Sequence, residues 1–291
     1  MVWLMNRART DPLNEGIYLA DTGDGGVESA INYFSVDEAA LMQEFAGIAS
    51  KPPCAFDRRI YEGSLTHSLD LIARDAQDHN QQFDRVRDAG FQFNGAAASV
   101  FSYARNPVYA HAGFNIDWGN DGGDGTGMQP GRGHRRGLMA ISTTSTSVGI
   151  AMAADNDPAT SVGPLVTSIV YARASGSASN HYNQFLVGTV WNDGNGNGQY
   201  DSGEGLSGVQ VMPDSGVFFA TTGSAGGWAI PISEGDYLLT FSGGQLGDSE
   251  QRSVSVVGSE SVLVVWDSAD TYITLPSPPI APSQLGVSAL D

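Results

Sequence analysis

Phe185-Leu-Val-Gly-Thr-Val-Trp-Asn-Asp-Gly-Asn-Gly-Asn-Gly-Gln-Tyr-Asp-Ser-Gly-Glu204 runs from a strand-period segment into a loop spaced for a divalent cation. Counted from Asp193, oxygen-bearing side chains fall at positions 1, 3, 5, 9 and 12 (Asp193, Asn195, Asn197, Asp201, Glu204), and Gly198 occupies position 6. Calcium gathers about six to eight oxygens, and a 12-residue loop supplies them from alternate side chains, one backbone carbonyl and a closing bidentate carboxylate. Here the carbonyl belongs to Gln199 and the closing carboxylate to Glu204, while Gly198 stands where the chain turns sharply. A plain Asn-Gly turn between two strands is the competing reading.

The flanks decide the scaffold. Phe185–Trp191 before the loop and Gly208-Val-Gln-Val-Met212 after it alternate at the strand period, so this is no helix-loop-helix hand. Further strand signals follow at Gly216-Val-Phe-Phe-Ala220, Gly227–Ile232, Asp236–Phe241, Ser253–Val257 and Ser261–Trp266. This spacing predicts a small all-β sandwich over 185–275, with a Pro-rich tail or linker over 276–291 that leads to other domains of a longer surface protein. Ala174–Gln184 opens with small residues and reads as a connector. Residues 1–173 mix helical stretches, Gly/Asp-rich loops and two strand runs, Val148–Ala153 and Leu165–Tyr171. The fold class is therefore α+β.

Composition narrows the functions. With 14 Lys and Arg against 32 Asp and Glu, the net charge of −18 argues against a nucleic-acid or anionic-membrane surface, which needs clustered cations. It suits cation binding. The single cysteine, Cys54, excludes an internal disulfide framework and a thiolate zinc cage, and reads as a buried or idle thiol. No apolar run approaches the roughly 18–20 residues that span a bilayer. The chain opens on an uncapped helical start, Met1–Thr10, without a signal peptide; the expectation is a trimmed chain whose export signal lies outside it.

The first half holds the remaining chemistry. A helix is predicted over 64–83, with Leu65, Leu69, Ile72 and Ala76 on one stripe; His79 falls next on it and is expected to point inward, His67 elsewhere. His134 sits at the end of a glycine-rich loop, and His111 reads as strand or loop surface. The Asn120–Gly127 segment does not fill the calcium spacing and reads as a flexible loop.

Leu4–Pro12, His67-Ser68 with His79, Arg85–Phe91, Gly133-His-Arg135 and Val148–Ile150 resemble, in order and spacing, landmarks of the CAP superfamily, the SCP-like group of cysteine-rich secretory, venom-allergen and pathogenesis-related proteins. The resemblance covers roughly residues 1–173. It implies an α-β-α sandwich with a cleft lined by two histidines and two acids; His79 and His134 match the histidines and Asp117 one acid. The second acid is lost, because Ala98 and Ser99 stand where the family's Gly-Glu-Asn motif has glutamate and asparagine. Two histidines and one carboxylate still suffice for zinc or another divalent metal, with water as fourth ligand. An empty polar cleft ranks first, adventitious metal second and hydrolysis third.

The second half is similar to the calcium-rigidified B-type repeats of bacterial surface adhesins and to the carboxypeptidase regulatory-like sandwich. Together these imply a secreted or cell-surface protein whose cleft binds a ligand, lipid or peptide. The alternatives are a metal-dependent hydrolase using His79, Asp117 and His134, and a purely structural spacer.

Overall fold

The computed structural model describes residues 1–266. The expected end of the sandwich beyond Trp266 and the Pro-rich tail lie outside the described residues.

The first half is built in three layers around one mixed sheet. Strands β1 (Ala55–Phe56), β2 (Phe93–Ala104), β3 (Ser147–Ala154) and β4 (Leu165–Ala174) are ordered β1-β3-β4-β2. β1 runs parallel to β3, and the other pairs are antiparallel. Along β4, Ile169 and Tyr171 face one side while Val170 and Ala172 face the other, and all four are buried. A strand apolar on both faces needs cover on both.

One cover is α5 (Arg58–Arg74) with α6 (Gln82–Asp88), whose Ile60 and Val86 meet Val170 and Ala172. The other is a shell of α1 (Val2–Thr10), α2 (Pro12–Ala20), α3 (Gly25–Phe34), α4 (Glu38–Ala46), α7 (Pro107–Ile116) and α8 (Gly133–Leu138). Met5, Leu19, Ile31, Phe45, Phe114 and Leu138 from that shell pack on Ile150, Ile169 and Tyr171. Side-chain caps begin five of these helices: Asp11, Asp24, Asp37, Asp57 and Asn106 each accept a first-turn amide.

Helix α5 departs from the predicted one. It starts six residues earlier, at Arg58, and stops at Arg74 because Asp75 turns left-handed (φ 47°) and closes the last turn. Its inward face is Ile60, Gly63, Ser64, His67, Ser68 and Leu71, whereas Leu69 is 53% exposed. Close approach selects this face. Ser64 Oγ donates to the Gly149 carbonyl (3.2 Å) and Ser68 Oγ to Ser168 Oγ (2.9 Å), contacts that a larger residue would prevent. His67, not His79, is the core histidine of this region: its Nε2–H donates to the Asp78 carbonyl (3.0 Å), and Arg85 donates to its Nδ1. Burial and the Arg85 charge hold the imidazole below its ordinary pKa, despite the Asp78 carbonyl.

The second half is a sandwich of two sheets. One is ordered β10-β9-β6-β7, from Glu250–Val256, Gly235–Ser242, Gln210–Pro213 and Ala220–Thr221. The other is ordered β11-β5-β8, from Val262–Val264, Phe185–Thr189 and Gly227–Pro231. Between them lie Leu186, Val211, Trp228, Ile230, Leu239, Phe241 and Trp266. The strand expected at 216–220 does not form: residues 216–219 bend out of the sheet, leaving Val217 86% and Phe219 58% exposed.

The connector is tied down at both ends. Asn183 bonds both backbone groups of Ala174 and accepts from Thr146 (2.7 Å), and His181 Nε2 accepts the Gln92 amide (2.8 Å). Ala55 of β1 packs with Phe185, Val187, Ala229 and Leu263, so the two halves share a small apolar junction.

Candidate functional site

Asp117 and His134 are brought together by the ends of two helices. α7 begins on an Asn106 cap with Pro107 in its first turn and ends at Asp117, held left-handed at φ 58°. That turn points the carboxylate at the start of α8, where Oδ2 accepts the His134 amide (3.0 Å) and Oδ1 accepts from His134 Nδ1 (2.7 Å). Because Nδ1 carries the proton toward a carboxylate, Nε2 is left as the acceptor nitrogen. Asp117 is 1% exposed and the imidazole 31%, so the orienting group is sheltered while the ring meets solvent.

The ring opens into a cavity of about 170 Å³ beside β2, the free edge of the sheet. Phe34, Phe101, Phe114 and Trp118 form its apolar walls. Gly113 admits the rings: a Cβ there would stand 2.8 Å from Phe101. Three polar groups join them. Gln77 spends its carbonyl oxygen on the Ser102 amide (3.0 Å) and keeps its NH₂ as a donor. Gln129 spends its NH₂ on the Trp118 carbonyl (3.1 Å) and keeps its oxygen as an acceptor, alongside His134 Nε2. At the rim, a register shift between Phe101 and Ala104 accompanies Tyr103 at φ 66°, a conformation costly for an aromatic residue, and the residue is 54% exposed.

The other expected cleft residues lie elsewhere. His79 is exposed on the loop after α5 and bonds Gln82 (2.7 Å); two residues earlier, Gln77 lines the cavity instead. Among the described residues no group of three or more His, Cys, Asp or Glu side chains is placed to hold a metal, so His79, His134 and Asp117 do not form the expected ligand set. Ala98 faces α5 and α6 with Ile60 and Val86, on the opposite side of β2 from Ala97 and Phe101. Cys54 is buried, receiving Arg9 Nη1 on its sulfur (2.8 Å).

His111 is not a surface residue. Helix α7 buries it completely, and its Nε2–H donates to Glu15 Oε1 (2.7 Å). Arg7 closes a second side, its Nε and Nη2 donating to Glu15 at 2.8 and 3.0 Å. Burial pushes the Glu15 carboxyl up, but the opposing charges and hydrogen bonds of His111 and Arg7 outweigh it and hold it below its ordinary range. Burial lowers His111 from its ordinary value of 6.5 despite Glu15. The unfolded chain takes up this proton near the ordinary value and the folded chain resists it, so stability declines as pH falls below about 6.5. Glu15 adds to the decline lower down, since a depressed carboxyl loses its contribution as pH falls through its folded value. The urea midpoint is expected to drop between pH 7 and 5, with a shallower drop in His111→Gln.

The calcium-spaced loop is wrapped on itself. Asp193 accepts from the amides of Gly196, Asn197 and Gly198 (2.7, 3.1 and 2.8 Å). Glu204 accepts from Gly194 and Asp201 (2.9 and 2.8 Å), joining the two ends of the loop. Asn195 and Asn197 each turn an amide NH₂ toward Asp201 Oδ2 (2.8 Å in both), and their oxygens accept the amides two residues on. Gly198 is at φ 72°, where a side chain would be strained. Asp193, Asn195, Asn197, Asp201 and Glu204 with the Gln199 carbonyl are a hard-oxygen set of the type calcium takes. The three carboxylates alone do not make a ligand group, so the fit depends on the amide and carbonyl oxygens.

No family profile matches this chain, and no curated protein matches it. Among solved structures it is similar to an extracellular protein containing an SCP domain from Bacillus anthracis str. Ames, at 15% identity and a TM-score of 0.32. The match covers 50% of this chain and spans 41% of that one. No helix among the described residues is long and apolar enough to cross a membrane.

Proposed function

We propose that this is a secreted or surface-attached binding protein, in which a CAP-like domain takes an apolar ligand with a polar end group and a calcium-stabilised sandwich carries that domain. The observation behind the binding reading is the cavity itself. Its walls are aromatic, its polar groups are two amides, one oriented imidazole and the Tyr103 phenol at the rim, and its lining includes no Ser, Thr, Cys, Asp or Glu. Such a lining orients a ligand and holds no aliphatic hydroxyl, thiol or carboxylate to act as a nucleophile. The layers on both faces of the sheet and the order of the landmark residues support the CAP-like reading. Extracellular calcium concentrations suit a loop of this kind, whose affinity as an extracellular module is on the order of 10⁻⁴ M or weaker.

One feature favours a second reading. A carboxylate on Nδ1 with Nε2 directed outward is how a general base is oriented, and with water as nucleophile it supports hydrolysis. One titration separates the two readings. Decanol, whose hydroxyl can donate to His134 Nε2, is expected to quench Trp118 emission saturably, with the response lost in Trp118→Phe and the half-saturation raised about fivefold in His134→Ala, the worth of one neutral hydrogen bond. Absence of quenching overturns the lipid-type ligand. Turnover of p-nitrophenyl butyrate that His134→Ala abolishes moves the conclusion to hydrolysis.

A further inference from the structure

The calcium-spaced loop is also the place where the sandwich grips the first domain. Gln199 Oε1 accepts Arg7 Nη1 (2.8 Å), the same guanidinium that holds buried Glu15. The next residue, Tyr200, sets its ring 5.5 Å from Trp3 of α1, and Trp3 lies 6.3 Å from Trp191 at the head of the loop. Arg7 in turn stacks over Tyr18 (4.0 Å) and Trp3 (5.0 Å). The contact is therefore a layered cluster of Arg7, Trp3, Tyr18, Trp191, Gln199 and Tyr200, separate from the apolar junction around Ala55.

We propose that calcium acts here as a latch between the two domains, so that binding the ion fixes α1 against the loop and docking of α1 raises calcium affinity. The proposal rests on the calcium reading of the loop. Its physical basis is the double duty of Gln199. The main-chain carbonyl of Gln199 occupies the position that ligates the ion, while its side chain and its neighbour Tyr200 hold Arg7 and Trp3. Four glycines, at 194, 196, 198 and 203, leave the segment with high conformational entropy, and three carboxylates in 12 residues repel one another without a cation. An ion that orders this segment presents Gln199 and Tyr200 in one arrangement, removing an entropic cost that docking would otherwise bear. Linkage requires the reverse effect to be equally large: whatever docking gains from calcium, calcium gains from docking.

The test uses the full chain. Calcium affinity is measured by titration calorimetry in the parent, Trp3→Ala and Gln199→Ala, the last of which keeps the ligating carbonyl. Hydrogen exchange of the Val2–Thr10 amides is followed with and without 1 mM calcium. The expected result is a dissociation constant about 5- to 10-fold weaker in each variant, with calcium-induced protection of α1 in the parent that both variants lose. If calcium binds all three proteins equally and protects only the loop, the latch is overturned and the calcium site stands. If the parent shows neither heat nor protection, the calcium reading fails and the latch falls with it.

Discussion

Glu15→Ala is expected to lower the thermal midpoint of the first domain by on the order of 10 °C. The carboxylate is fully buried between His111 and Arg7, with both partners on it at hydrogen-bond distance. Removing one member of a buried charged set leaves the others desolvated without compensation, at a cost of about 3–5 kcal/mol. For a domain of this size each kcal/mol moves the midpoint by roughly 2–4 °C. Glu15→Gln keeps the shape and an acceptor oxygen, so its loss is expected to be smaller. A midpoint in Glu15→Ala within about 2 °C of the parent, measured by calorimetry, contradicts the account, since it converts to less than about 1 kcal/mol.

Gly149→Ala is expected to cost at least as much for a different reason. A methyl group at this position would lie 2.2 Å from the Tyr61 nitrogen and 2.3 Å from the Ile60 carbonyl carbon. Both atoms are backbone of α5, so no rotamer change relieves the clash, and the helix must move off the sheet. Overpacking of a core costs typically about 1–3 kcal/mol when side chains alone adjust. Displacing α5 also breaks the Ser64 bond to Gly149, so the expected loss in a urea titration is about 3 kcal/mol or more. Gly95→Ala, whose added carbon meets nothing within 4 Å, is the matched control and is expected to stay within about 0.5 kcal/mol.

This glycine also explains why part of the site was hidden in the sequence. A search for apolar residues at helical spacing selects Leu65, Leu69 and Ile72, and places His79 on their stripe. The buried face of α5 instead carries Ser64, His67 and Ser68, small or hydrogen-bonding residues demanded by an approach close enough to exclude a Cβ at Gly149. With the helix out of phase and ending at Asp75, His79 leaves the cleft and Gln77 enters it. His111 was misplaced because alternation around Ala110 and Ala112 imitates a strand. Asn106-Pro107, a cap followed by proline in the first turn, was the available signal for α7.

Other features were open to reading. Asp117 and His134, two of the three expected cleft residues, lie within a hydrogen bond of each other. The strand-period flanks of the 193–204 loop form β5 and β6 of a sandwich. The aromatic walls of the cavity were not legible. Phe34, Phe101, Phe114 and Trp118 come from four separate segments, and nothing in their spacing shows that the free edge of β2 gathers them. The Gly216–Ala220 strand failed because three successive apolar residues imitate a strand, whereas Gly216 at φ 100° turns the chain outward.

The most direct test of the central claim, that a calcium-dependent sandwich carries the cleft domain, is the thermal midpoint of the sandwich with and without 1 mM calcium in the parent, Asp193→Ala and Glu204→Ala. At a dissociation constant on the order of 10⁻⁴ M the ion adds about 1.4 kcal/mol. That corresponds to a rise of roughly 5–10 °C for a domain of this length. The expected result is this rise in the parent and its loss in both variants. A midpoint indifferent to calcium in the parent, or an equal rise in all three proteins, contradicts the account.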